Sequence, residues 1–181
     1  RSDHVQYRMV AGRAEATEGR WPKYSHVQLT GHEVEIDGTR YLETRQDDLW
    51  CTTEDVSAPR LREDIPPRIR EQRGGRRTWM GVSILRGWMV AYEYDRPVYT
   101  TLVSPGRGGI PKRGVPPLET ASTPLGRYRI AGKFVTATMV SGSNAKLVHA
   151  EVPYTQNFTG PYALHSAYWH DDWGVGKSGG V

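Results

Sequence analysis

The side chains most able to do chemistry in this chain gather between Tyr162 and Val181. The run reads Tyr162-Ala163-Leu164-His165-Ser166-Ala167-Tyr168-Trp169-His170-Asp171-Asp172-Trp173-Gly174-Val175-Gly176-Lys177-Ser178-Gly179-Gly180-Val181. An imidazole such as His165 moves protons near neutral pH. The amides of a Gly-rich turn such as Ser178-Gly179-Gly180 can approach a substrate closely. Taken singly, a His after Ala-Leu is more often than not a hydrogen-bonded side chain in or near a core. Two rival readings of the run fail. Gly176-Lys177-Ser178 copies the end of a phosphate-binding loop, but the first Gly of that pattern would stand at Asp171 and no helix follows. His165, His170, Asp171 and Asp172 lack the spacing of a metal site, with no Glu between the two His and no third distant ligand.

Several strands must hold these residues. Tyr162 to Leu164 reads as a short apolar strand, preceded by Val148 to Tyr154 and Tyr128 to Phe134. Upstream, Thr78 to Leu85, Gly87 to Tyr94 and Val98 to Val103 form a meander with a turn at Asp95-Arg96-Pro97. Nothing from Thr78 onward has helical periodicity, so the fold reads as mainly β. Residues 104–123 hold four Gly and four Pro and read as a long binding loop or lid. Its Arg107, Lys112 and Arg113 could meet carboxylates, although solvated surface charge is the commoner role for such residues. Near the start, Val34 and Ile36 alternate with charged residues before Asp37-Gly38, a strong two-residue hairpin signal. Tyr41-Leu42 and Leu49 to Thr53 continue that sheet, while residues 1–26 are polar without a sustained period.

The order of these pieces resembles the L,D-transpeptidase (YkuD-type) family. Its features are a Thr-Pro-x-Gly-x-aromatic element (Thr123-Pro124-Leu125-Gly126-Arg127-Tyr128), a His after an apolar strand, and Ser-His-Gly-Cys about a dozen residues later. Here His165 and Ser178 match with twelve residues between them, Gly179 stands for the second His, and Gly180 matches the family Gly. Gly180 is followed directly by Val181, where the family has its nucleophilic Cys and then an apolar residue. A Cys unread between Gly180 and Val181 is one reading of that departure, and an inactive or truncated relative is the other.

The resemblance covers residues 78–181 and implies a YkuD-type β-sandwich, C-terminally incomplete, preceded by a small SH3-like β module over residues 1–58. Residues 59–77, rich in Pro and Arg, would link the two. It also implies a peptidoglycan L,D-transpeptidase, in which a Cys thiolate attacks a stem peptide and an amine of a second stem resolves the thioester. His165 would be the base, and the backbone around Ser178, Gly179 and Gly180 would orient it and shape an oxyanion hole. The mechanism so implied requires no metal and no organic cofactor. Tyr154, Tyr162 and Trp169 would line the substrate groove, though packing is the commoner role for such rings in a β-rich fold. The alternatives are a catalytically inactive peptidoglycan-binding or structural relative, and a hydrolytic relative with water as acceptor.

Composition bounds the rest. Six Trp and ten Tyr against two Phe favour wet, amphipathic surfaces suited to polar polymers and equally to sheet packing. Residues 59–77 carry seven Arg against Glu63, Asp64 and Glu71, which accounts for the whole formal charge of +4. That basic run has no aromatic residue, so the stacking platform of a single-strand nucleic-acid binder is missing, and no nucleic-acid partner is expected. One Cys, Cys51, rules out an internal disulfide and a Cys-based zinc site. No apolar run reaches the ~18 residues of a membrane span. No signal peptide opens the chain, which would then be a mature or trimmed form of an extracytoplasmic (periplasmic or wall) protein. The partners implied are peptidoglycan stem peptides; the oligomeric state stays open.

Overall fold

A computed structural model describes residues 3–141 and 147–174. The chain forms two compact units, Arg1–Ala58 and Pro59–Val181. Among the described residues every regular element is a strand except a one-turn helix and a short 3-10 turn.

The first unit is one antiparallel sheet of five strands: β1 (His4–Val10), β2 (Arg13–Trp21), β3 (Leu29–Ile36), β4 (Thr39–Thr44) and β5 (Leu49–Thr52). Their order is β2-β1-β5-β4-β3. The Asp37-Gly38 hairpin is present, with both residues at positive φ as a two-residue turn of the primed type requires. Ala11-Gly12 makes a second such turn, joining β1 to β2 in the stretch that reads as aperiodic in the sequence. Trp21, Trp50 and Cys51 are buried, and the Tyr7 ring meets Tyr41 edge-on at 5.2 Å.

In the second unit β6 (Thr78–Ser83), β7 (Trp88–Glu93) and β8 (Arg96–Leu102) form a three-stranded meander. The turn falls one residue earlier than the sequence suggests, at Tyr94-Asp95, and Pro97 lies inside β8 beside a register shift. An edge strand next to an irregularity is where a residue without an N–H is tolerated. Trp79 and Tyr92, directly opposite in register, stack at 4.1 Å with ring planes 6° apart. Tyr92 is 1% exposed, and its hydroxyl accepts a bond from the Arg62 N–H. Residues 59–77 thus include a segment docked on this meander, and they carry the helix α1 (Pro67–Glu71).

The second sheet of this unit has the order β11-β10-β9, from β9 (Gly132–Ser141), β10 (Leu147–Thr159) and β11 (Tyr162–Leu164). Residues 104–123 are cross-braced rather than open. Gly108 N–H donates to Ala121 O at 3.1 Å and Gly106 N–H to Thr123 Oγ1 at 2.8 Å. A Cβ at Gly106 or Gly108 would collide with the backbone of 120–122, so only Gly permits this approach. Arg107, Lys112 and Arg113 stand exposed on its outside.

Thr123-Pro124-Leu125-Gly126-Arg127-Tyr128 is a tight element before β9 rather than part of the strand. The Tyr128 ring folds back, its hydroxyl donating to Leu125 O at 2.8 Å, and Gly126 has φ +149°. A Cβ there would lie 2.9 Å from the Tyr128 oxygen. Gly126→Ala should therefore lower unfolding free energy by about 1–3 kcal/mol, measured by urea denaturation. A second change, Tyr128→Ala, should relieve the collision but leave the backbone penalty.

Candidate functional site

His165 is the first residue after β11, and its position depends on β10. β11 pairs with β10 only from Gln156 to Thr159, which leaves the edge of β10 open at Pro153. Ser166 takes that edge: its N–H and its hydroxyl both donate to Pro153 O, at 3.1 and 2.8 Å. Two residues on, the Tyr168 hydroxyl donates to Ala150 O at 3.0 Å. The run 165–169 is thereby fastened along β10.

The His165 ring has its Nδ1 2.9 Å from Ser166 O. A carbonyl can only accept, so the contact places the proton on Nδ1 and leaves the Nε2 lone pair for a reacting group. The imidazole is half-buried, and loss of water holds its pKa below the usual 6.5, with like-charge interaction from His149 and His170 adding to the effect. The bond to Ser166 O acts the other way and is outweighed. A neutral imidazole with its lone pair on Nε2 can act as a general base.

Trp169 joins this ring: the two centroids are 5.6 Å apart with planes 28° apart. The closer stacking partner of Trp169 is His149 on β10, at 3.8 Å and 21°. Tyr168 meets Trp169 edge-on at 5.1 Å, and His170 packs against Trp173 at 5.1 Å. Downstream, Ser104 Oγ donates to Asp172 O and Gly174 N–H to Val103 O, so the run is also held to the end of β8.

Of the residues the sequence points to, His165 and Trp169 are brought together. Tyr162 belongs to another ring row, 6.2 Å from Phe158, which itself lies 5.2 Å from Tyr128; desolvation raises its pKa. Tyr154 sits on β10 at 71% exposure with φ +54°. Ser178, Gly179 and Gly180, with Val181, lie outside the described residues. His149 is the residue that sequence reasoning misses. Its signal is weak, an imidazole in the strand read as Val148 to Tyr154. Among the described residues no three His, Cys, Asp or Glu side chains group to hold a metal ion. No family model, curated protein or solved structure matches the chain.

The one thiol is elsewhere. Cys51 is 0% exposed on β5, with Sγ 3.7 Å from Leu42 O, and desolvation pushes its pKa up to about 11. Only a thiolate attacks carbon or disulfide, so Cys51 should resist iodoacetamide and disulfide reagents in the native protein. It should react at once in denaturant, counted by intact mass.

The lowered pKa of His165 also has a stability consequence. The folded state binds this proton less readily than the unfolded chain, so the stabilisation is present above the unfolded value of about 6.5. It is lost as pH falls through the lower folded value. Thermal unfolding of wild type and His165→Gln from about pH 7.5 to about pH 5 should show the variant with the shallower decline in Tm.

Proposed function

We propose that this chain is part of a peptidoglycan L,D-transpeptidase, a YkuD-type β-sandwich domain following an SH3-like module, acting outside the cytoplasm on stem peptides. The observation that carries this reading is the state of His165: neutral, with Nδ1–H on a carbonyl and the lone pair on Nε2, immediately after a short strand. The ordered pieces around it support the reading further. Thr123 to Tyr128 form a tight element ahead of β9, and the run from Trp169 to Gly174 leads towards Ser178-Gly179-Gly180.

The reaction needs a thiol that this sequence does not place beside His165. In it, the base takes the thiol proton and the thiolate bonds to the carbonyl carbon of the third residue of the donor stem. The bond to D-Ala breaks, and the imidazolium returns the proton to the departing amine. An amine of a second stem then displaces the thiolate, giving a cross-link or the attachment of a wall protein, and the proton restores the thiol. Backbone amides of a Gly-rich turn would hold the tetrahedral oxyanion.

A second reading rests on Cys51. Its thiol is buried and un-ionised, and Gly180 is followed directly by Val181. A chain with no other thiol would bind peptidoglycan without transferring acyl groups. Peptide mass spectrometry of the natural protein across Trp173 to Val181 decides whether a Cys mass lies between Gly180 and Val181. With that Cys, a carbapenem should form a stable acyl adduct, and His165→Ala should slow it by about 10²- to 10⁴-fold. Equal acylation of the two forms removes His165 as base; no Cys mass and no adduct leave the binding reading.

A further inference from the structure

β10 contains an irregularity whose purpose the strand pairing does not explain. His149 pairs with Met139, and the next pair is Val152 with Ala137, so β10 spends one more residue than β9 on this step. Glu151 within it has φ +50°. A bulge of this kind turns the strand and re-aims a side chain. Here its effect is specific: His149 and Val152, three apart and normally on opposite faces of a strand, are both buried, at 9% and 0% exposure.

The side chain so turned is an imidazole, and what it meets is Trp169 at stacking distance. Trp169 in turn lies against the His165 ring, while Tyr168 stands edge-on to both Trp169 and His149. The bulge residue Ala150 supplies the carbonyl that holds the Tyr168 hydroxyl. The Nδ1 bond of His165 goes to its own neighbour Ser166, so it reaches β10 only through the Ser166 bonds to Pro153. Ring packing is the second and more direct tie between this imidazole and the sheet.

We propose that His149 is a positioning residue for His165: the β10 bulge aims its imidazole at Trp169, and the stacked pair fixes the plane in which His165 presents Nε2. The proposal rests on the acyl-transfer reading only for the use made of His165. The arrangement itself can be read without any activity. A flat ring at position 149 is what the stack needs, and an aliphatic side chain of similar volume fills the space without orienting Trp169.

The test is nitrogen-15 and aromatic proton NMR of the whole chain as wild type, His149→Phe and His149→Leu. In wild type, His165 should show a single Nδ1–H tautomer, and its ring protons should be shifted by the Trp169 ring current. His149→Leu should bring the two tautomers of His165 into exchange and shrink the ring-current shift by at least half. His149→Phe should restore both. A folded His149→Leu with His165 signals unchanged from wild type overturns the proposal. Should His149→Leu not fold, wild type decides: cross-relaxation between the His149 and Trp169 rings supports it, and its absence overturns it. Carbapenem acylation of the same proteins separates the two readings. His165 signals that follow residue 149, with no adduct in any form, uphold the positioning role and remove the transferase. Where an adduct forms, His149→Leu should slow it about tenfold to a hundredfold.

Discussion

The second unit's site depends on one acceptor, the carbonyl of Pro153. In an antiparallel ladder a residue's N–H and C=O point to the same neighbour. Pro153 has no N–H, so its polar edge would leave a ladder bond unmade wherever a full partner strand stood opposite. β11 is only three residues long and ends before reaching it. The edge is therefore free for Ser166, which fills it with two donors on a single oxygen. The proline and the shortness of β11 are one constraint: together they turn the chain at His165 and fasten it where a longer strand would have carried it past.

From that anchor, geometry passes to the rings. Once Ser166 is fixed, Tyr168 and Trp169 can reach only the stretch of β10 before Pro153, which is where the bulge lies. The bulge gives the sheet a buried imidazole in place of an exposed one, and the stack His149–Trp169–His165 is the result. Packing three ring systems also removes water from His165, which is the first cause of its lowered pKa. One set of contacts thus packs the His165 ring and keeps it neutral.

Much of this was legible in the sequence and some was not, for identifiable reasons. Asp37-Gly38 declared its hairpin because both positions need positive φ, and Tyr162 to Leu164 read correctly as a short strand before His165. The mainly β character came from alternation and the lack of helical period. β1 and β2 stayed hidden because their half-exposed positions include His4, Gln6, Thr17 and Gly19, which blur a two-residue hydrophobic period. Strand β9 begins at Gly132 rather than Tyr128 because Gly126 lets the Tyr128 ring fold back, a local bond that pattern reading does not see. His149 was missed because a bulge breaks the alternation that assigns faces. The sandwich and SH3-like architectures rest on resemblance, and the last residues of the site, 178–180, lie outside the described structure.

The two reactive side-chain types in this protein are treated oppositely, and that contrast carries functional weight. Cys51 is sealed and held un-ionised, with its weak donor aimed at a carbonyl of its own sheet. His165 carries its lone pair on Nε2 at the end of a strand, and the chain after it is pinned at Asp172 and Gly174 to the end of β8. On the acyl-transfer reading proposed above, His165 works as a base only if a proton donor reaches Nε2. The buried thiol cannot be that donor, because its pKa of about 11 leaves the neutral imidazole too weak to ionise it.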